Sequence, residues 1–148
     1  MKIIVDADAC PRSVLGICRK AASRLGIPLW TVASFKHRLD ADQHIVVGDS
    51  PQEADIAIVN AAEEGDVVVT QDWGLAAMVL ARGARALSPS GRIFCPETIP
   101  FLLEEREIKA RFRRGGGRTR GPAKRTPADD RRFGASLYHL LGGDLSPT

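Results

Sequence analysis

Two aspartates one residue apart, Asp6 and Asp8, follow directly on a run of β-branched residues, Ile3-Ile4-Val5. A second such run, Val67-Val68-Val69-Thr70, is followed almost as closely by Asp72. Short unbroken runs of this kind read as strands buried on both faces. All three acids are therefore expected at the carboxyl ends of core strands, where open α/β sheets bind their ligands. Carboxylates gathered there suit a hard, oxygen-seeking cation such as Mg²⁺ or Mn²⁺. On a phosphate ester such an ion polarises the phosphoryl oxygen, lowers the pKa of a coordinated water and neutralises charge on the leaving oxygen. An Asp just past a strand also serves as a turn residue or helix N-cap, so the pair alone does not decide between chemistry and structure.

Asp55 shifts the balance. On a helix expected from Pro51 to Glu64, its surface neighbours are Pro51, Ile58, Val59 and Ala62, which puts a carboxylate on the face that should be buried. That is costly unless the group is paired or metal-bound. Asp55 lies near the start of a helix that follows a strand, so it should lean toward the rim that carries Asp6 and Asp8. The competing reading is an exposed residue on a helix of different phase. Asp6, Asp8, Asp55 and Asp72 in one pocket would repel one another, and protonation or a divalent cation would relieve this, the cation being the simpler answer. One ion held mainly by Asp6 and Asp72, with Asp8 nearby, is expected; Asp55 would hold a second ion or orient the attacking water. Ser34, Asn60 and Thr70 are the short polar residues expected to tune this shell. Asp66, at the beginning of its strand, belongs to the opposite rim and is excluded.

The elements that would position these acids alternate. After the strand at Ile3 comes a helix with Pro11 in its first turn and a stripe of Leu15, Cys18, Ala22 and Leu25, ending at Gly26-Ile27-Pro28. Strands are expected at Leu29 to Ala33, Ile45 to Val47, Val67 to Thr70, Ala84 to Leu87 and Arg92 to Phe94, and helices at Pro51 to Glu64, Trp73 to Ala81 and Glu97 to Ala110. Such alternation marks an α/β fold: helices on both sides of a mostly parallel central sheet, a three-layer α/β/α arrangement.

The 148 residues, 44% hydrophobic and 26% charged, suit one core. No apolar run approaches the roughly 18 residues of a membrane span, and the first residues read as a strand rather than a signal peptide, so a cytoplasmic protein is expected. Cys10, Cys18 and Cys95 form no C-x-x-C pair, which argues against a disulfide framework or a zinc site; Cys10 reads as a packing residue. Charge is uneven. Residues 1–109 hold 12 Lys/Arg against 15 Asp/Glu, and residues 110–148 hold 9 against 3. An acidic α/β domain over 1–110 is thus expected to carry, over 111–148, a basic Gly/Arg-rich loop and a short amphipathic helix beginning at Thr126-Pro127 that docks back on it. The loop, 111–125, is expected to lack regular structure. Its Arg113, Arg114, Arg118, Arg120, Lys124 and Arg125, with Arg12 beside the acids, are the candidate contacts to a nucleic acid, RNA or single-stranded DNA. No membrane partner is indicated, and a homodimer stays open.

Several strings resemble the successive motifs of the YaiI/YqxD family of bacterial proteins, related to the PIN-like domains. They are Asp6-Ala7-Asp8-Ala9-Cys10-Pro11, Ala54-Asp55 with Ile58-Val59-Asn60, Gly65-Asp66-Val67-Val68-Val69-Thr70-Gln71-Asp72 with Gly74-Leu75-Ala76, and Ser88-Pro89-Ser90-Gly91. In the tail, Gly121-Pro122 and Asp130-Arg131 with Phe133 are similar in kind and order. The resemblance implies a PIN-like α/β fold whose acids bind Mg²⁺ or Mn²⁺ and, in active relatives, cleave RNA or single-stranded nucleic acid. Those roles fall on Asp6, Asp8, Asp55 and Asp72. The chain departs from the pattern at Ser90, where relatives often carry a basic residue, and at Arg12, where an apolar one is usual. Two other readings stand beside a metal-dependent nuclease. One is a non-catalytic module that binds nucleic acid or a partner through the basic loop. The other is a haloacid-dehalogenase-like phosphatase, for which D-x-D and a strand ending in Thr70 are the right parts, but residues 73 to 110 offer no late acidic pair following a strand, as it would need.

Overall fold

The structure is a computed structural model and describes residues 1–34, 41–97, 104, 107–108, 110–112, 114–115 and 124–142. Its elements run β1 (Ile3–Asp6), a 3-10 turn (Ala7–Ala9), α1 (Arg12–Leu25), β2 (Leu29–Ala33), β3 (Gln43–Val46), α2 (Pro51–Ala61), β4 (Val67–Val69), α3 (Trp73–Ala81), β5 (Arg85–Leu87), β6 (Ile93–Phe94) and α4 (Pro127–Leu140). The strands form one sheet in the order β3-β2-β1-β4-β5-β6. Every pairing is parallel except that of β5 with β6.

Strand alternation divides the core in two. Ile3, Val5, Val67, Val69 and Leu87 meet Val14, Cys18 and Ala21 of α1 and Phe133 and Leu137 of α4 on one face. Ile4, Val68 and Ala86 meet Ala54 and Ile58 of α2 and Leu75, Ala76 and Val79 of α3 on the other. This is the three-layer α/β/α arrangement with a mostly parallel sheet. None of the helices among the described residues is long and apolar enough to cross a membrane.

Several boundaries differ from the sequence reading. In α1 the buried stripe is Val14, Cys18, Ala21 and Ala22, a rotation of about one residue from the expected one, and Leu25 is 38% exposed. Small residues facing inward let α1 lie close to α4, which a stripe of two leucines would not. β3 begins at Gln43, two residues early, because an edge strand needs little apolar patterning; its His44 Nδ1 lies 2.7 Å from Thr31 Oγ1 in a hydrogen bond. α2 stops at Ala61 rather than Glu64, since Asp66 Oδ2 accepts the Glu63 N–H at 2.9 Å and draws the chain into a turn.

Of the helix expected at 97–110, residues 98–103, 105–106 and 109 lie outside the described residues. Pro96 and Glu97 form a turn, while the described residues between 104 and 114 are helical. The helix therefore runs past 110 into the stretch expected to lack regular structure. Arg111 Nε and Arg114 Nη2 each lie 3.3 Å from Glu107 Oε1, and arginine is a good helix former. The rest of the expected loop up to residue 123, including Arg118 and Arg120, lies outside the described residues, as does Arg113. α4 begins on a capping box: Thr126 takes the Asp129 N–H, and Asp129 takes the Thr126 N–H at 2.8 Å. Phe133 and Leu137 then place α4 in the same hydrophobic cluster as α1.

Candidate functional site

In the order β3-β2-β1-β4-β5 the chain direction across the sheet reverses between β1 and β4. α1 leads from β1 one way and α3 from β4 the other, so a crevice opens outside the carboxyl ends of these two strands. β1 and β4 are in register, Val5 opposite Val69. One residue further on, Asp6 and Thr70 are neighbours, and Thr70 Oγ1 donates to Asp6 Oδ2 at 3.0 Å. Asp6 follows the alternation of Ile4, whose face is covered by α2 and α3. Its carboxylate thereby points toward the helices that carry Asp55 and Asp72.

Burial, above all, raises the pKa of Asp6; the Thr70 hydroxyl opposes this, and the charges of Asp55, Asp8 and Asp72 push it further up. Asp55 is raised in turn by burial and by the charge of Asp72. The four acids that the sequence singled out thus lie within one electrostatic neighbourhood, although they arise from four separate segments. Among the described residues no cationic side chain is a cause of either shift. A crevice of about 320 Å³ opens among Asp6, Ala9, Gln71, Asp72 and Trp73.

Individual roles differ. Asp8 sits in the 3-10 turn, exposed, with both carboxylate oxygens 3.0 Å from the Ser34 N–H at the end of β2. Asp72 is the N-cap of α3, where its Oδ1 accepts the N–H groups of Gly74 at 2.9 Å and Leu75 at 3.2 Å. Thr70 Oγ1 also accepts the Asp72 N–H at 3.0 Å, which ties Asp6 and Asp72 through one hydroxyl. Ser34 touches the site through its backbone and Thr70 through its side chain. Asn60 does not belong to it: five residues beyond Asp55, it is exposed near the far end of α2, roughly 7.5 Å along the axis and about 140° round. Arg12 is exposed at the start of α1. Asp66 is at the opposite rim, 1% exposed, with Lys2 Nζ 2.6 Å from its Oδ2.

Gln71 and Trp73 line the crevice and the sequence reading did not include them. Gln71 Nε2 donates to Ala9 O at 3.3 Å, linking the two loops. Their placement on either side of Asp72, just past a core strand, was the available signal.

The donor set is all oxygen. Among the described residues no three His, Cys, Asp or Glu side chains come close enough together to enclose a metal ion. The residues fit an ion that keeps much of its own water and takes one or two carboxylates, the usual manner of Mg²⁺, rather than a protein cage. Asp6 and Asp72 are the two carboxylates that line the crevice.

The profile of the family described as uncharacterized BCR, YaiI/YqxD family matches residues 4–143. A UPF0178 protein of Heliobacterium modesticaldum is 58% identical over 141 residues, covering 95% of this chain and 97% of that one. Relatives of the same name in Clostridium tetani and Exiguobacterium sibiricum are 40% and 43% identical, over 96% and 95% of this chain and 97% and 96% of theirs. With a match across nearly its whole length, on the fold and rim just described, the chain belongs to the YaiI/YqxD family.

Proposed function

We propose that the crevice at the ends of β1 and β4 binds a divalent cation, Mg²⁺ or Mn²⁺, and hydrolyses phosphodiester bonds in RNA or single-stranded nucleic acid. The observation that carries this reading is the meeting of Asp6, Asp55 and Asp72 at the reversal of strand order, where the charges of Asp55 and Asp72 act on Asp6 and that of Asp72 on Asp55. Burial has already raised Asp6 toward its neutral form, and a nearby 2+ charge would reverse that cost. A bound cation supplies Lewis acidity at a phosphoryl oxygen and neutralises charge on the leaving oxygen.

The remaining steps belong to the chain. Asp6 and Asp72 would hold the ion, with the Asp6 carboxylate fixed by the Thr70 hydroxyl and that of Asp72 by the α3 N-terminus. Asp55, raised by burial and by Asp72, is the carboxyl suited to take a proton from an attacking water. The resemblance to PIN-like domains read from the sequence implies acids used in this way.

Asp8 and Asp72 both spend oxygens on backbone N–H groups, and this favours a second reading: a module that binds nucleic acid through its basic segment without cleaving it. One experiment separates the two. Labelled single-stranded RNA and DNA are incubated with the protein in Mn²⁺, Mg²⁺ or EDTA, beside Asp6→Asn and Asp72→Asn. A nuclease cleaves with metal and loses at least about 10²-fold in rate in either variant, the scale of removing one preorganised electrostatic group. Cleavage that survives EDTA or both variants rejects the mechanism; binding without cleavage selects the second reading.

A further inference from the structure

Arg125 ends the basic run and, from sequence, reads as one more phosphate contact. Its surroundings differ from those of the others. The Arg125 side chain is 24% exposed, against 71% for Arg111 and 65% for Arg114. Its Nε donates to Asp130 Oδ1 at 2.8 Å and its Nη1 to the Pro89 carbonyl at 2.8 Å; Nη2 is buried with no hydrogen-bond partner. The head group is committed to two fixed acceptors.

Of those acceptors, Asp130 is in the first turn of α4 and Pro89 is in the turn after β5, next to β4 in the sheet. Asp130 Oδ1 also accepts from Ser13 Oγ at 2.9 Å, and Ser13 is in the first turn of α1, three residues after Cys10. The charge of Arg125 reaches Cys10 itself, where it opposes the burial that pushes this thiol up to about 12. The Ala7–Cys10 turn needs such an anchor, because its tie toward β4 is the 3.3 Å bond from Gln71 to Ala9 O.

We propose that Arg125 is a positioning residue for the acidic crevice. By bridging Pro89 and Asp130, and through Asp130 holding Ser13, it fixes the turn between β1 and α1 that carries Asp8 and follows Asp6. The inference rests on the reading of that crevice as the working site. It assigns Arg125 to geometry rather than to substrate phosphate, and it makes the basic segment part of the site's framework. A lysine cannot replace it, since a single ammonium cannot span two acceptors set for a planar fork.

The test uses the full chain on a Cys95→Ser background and follows alkylation of Cys10 at pH 8 by mass spectrometry, with wholly buried Cys18 as internal control. Loss of charge-assisted hydrogen bonds is expected to raise the Cys10 rate at least about tenfold in both Arg125→Ala and Arg125→Lys, while Cys18 stays protected. Modification of Cys18 at the same rate reports global unfolding; the test then moves to Asp130→Asn, which breaks the same bridge and must reproduce the selective rise. If Arg125→Lys labels like the parent, or Arg125→Ala labels more slowly because only a nearby charge is lost, the proposal is overturned. In the cleavage assay both variants should lower kcat with KM unchanged; a raised KM with a salt slope reduced by about 0.7 marks a phosphate contact and overturns it as well. A parent protein that does not cleave defeats the nuclease reading and leaves the labelling result to decide the positioning role.

Discussion

At the scale of single residues, Asp6 shows what the site costs. Its pKa is raised by burial first and then by neighbouring acids, from an ordinary 3.8. The folded state therefore holds the Asp6 proton more tightly than the unfolded chain, and stability falls as pH rises from the ordinary value through the folded one; below the ordinary value the penalty is absent. Asp6→Asn is expected to raise Tm at neutral pH in EDTA, with the gain fading as pH falls through the usual carboxylate range. Thermal melts across pH check this, and no gain at neutral pH contradicts it. Mn²⁺ at about 100 times its Kd should stabilise the wild type by about 2.7 kcal/mol and the variant much less. Asp66 is the control on the other rim. Its carboxylate takes the Lys2 ammonium at 2.6 Å and the Lys2 N–H at 2.9 Å, so Asp66→Ala should cost about 3–5 kcal/mol. The Mn²⁺ increment in Tm should survive this change, because Asp66 lies at the opposite end of β4 from the crevice. Asp6, Asp72 and Asp66 could be sorted from sequence alone, since each adjoins one end of a β-branched run. Asp8 could not, because its tie to Ser34 depends on where β2 ends.

At the scale of elements, α4 is what holds the carboxyl-terminal segment against the sheet. Phe133 is fully buried between α1 and the strands, and Phe133→Ala should cost about 3–5 kcal/mol. Thr126→Ala, which removes one side of the capping box, should cost about 1 kcal/mol. The turn after β5 is pressed against this helix: Gly91 has φ 91°, and a Cβ there would lie 2.8 Å from the Arg132 carbonyl carbon. Gly91→Ala should therefore destabilise by more than about 1 kcal/mol; denaturant midpoints at constant m rank the three variants, and a neutral Gly91→Ala contradicts the close contact. Elements with strong internal signals were legible before the structure. β1 and β4 are apolar on both faces, α3 is bounded by Asp72 and Gly83, and α4 carries its own cap. β3, at the sheet edge, has weak patterning. Helical residues past Ala110 were hidden because the arginines there were read as charge for a partner, whereas Arg111 and Arg114 pair with Glu107.

At the scale of the whole molecule, α4, in the basic carboxyl-terminal quarter, packs on the same sheet as the acidic body, and under the proposed function this basic charge would draw in a polyanion that the acids would otherwise repel. Affinity for single-stranded RNA should fall steeply with salt, and the double variant Arg114→Ala/Lys124→Ala should reduce the slope of log K against log salt by about 1.4 if each contacts one phosphate. An unchanged slope means these side chains do not touch the strand. The four acids come from β1, the turn after it, α2 and the start of α3, and only strand order brings them together. Their neighbourhood was inferable from the alternation of strands and helices; the partial engagement of Asp8 and Asp72 by backbone N–H groups was not, since it depends on local cap geometry. The central claim is that this rim binds a divalent cation, and the most direct measurement is a titration of the protein with Mn²⁺ followed by electron paramagnetic resonance. The prediction is a saturable site in the wild type that is lost or weakened at least about tenfold in Asp6→Asn and in Asp72→Asn, as expected when one of two holding carboxylates is removed. Wild-type protein that leaves Mn²⁺ free in solution, or variants that bind it as well as the parent, would contradict it.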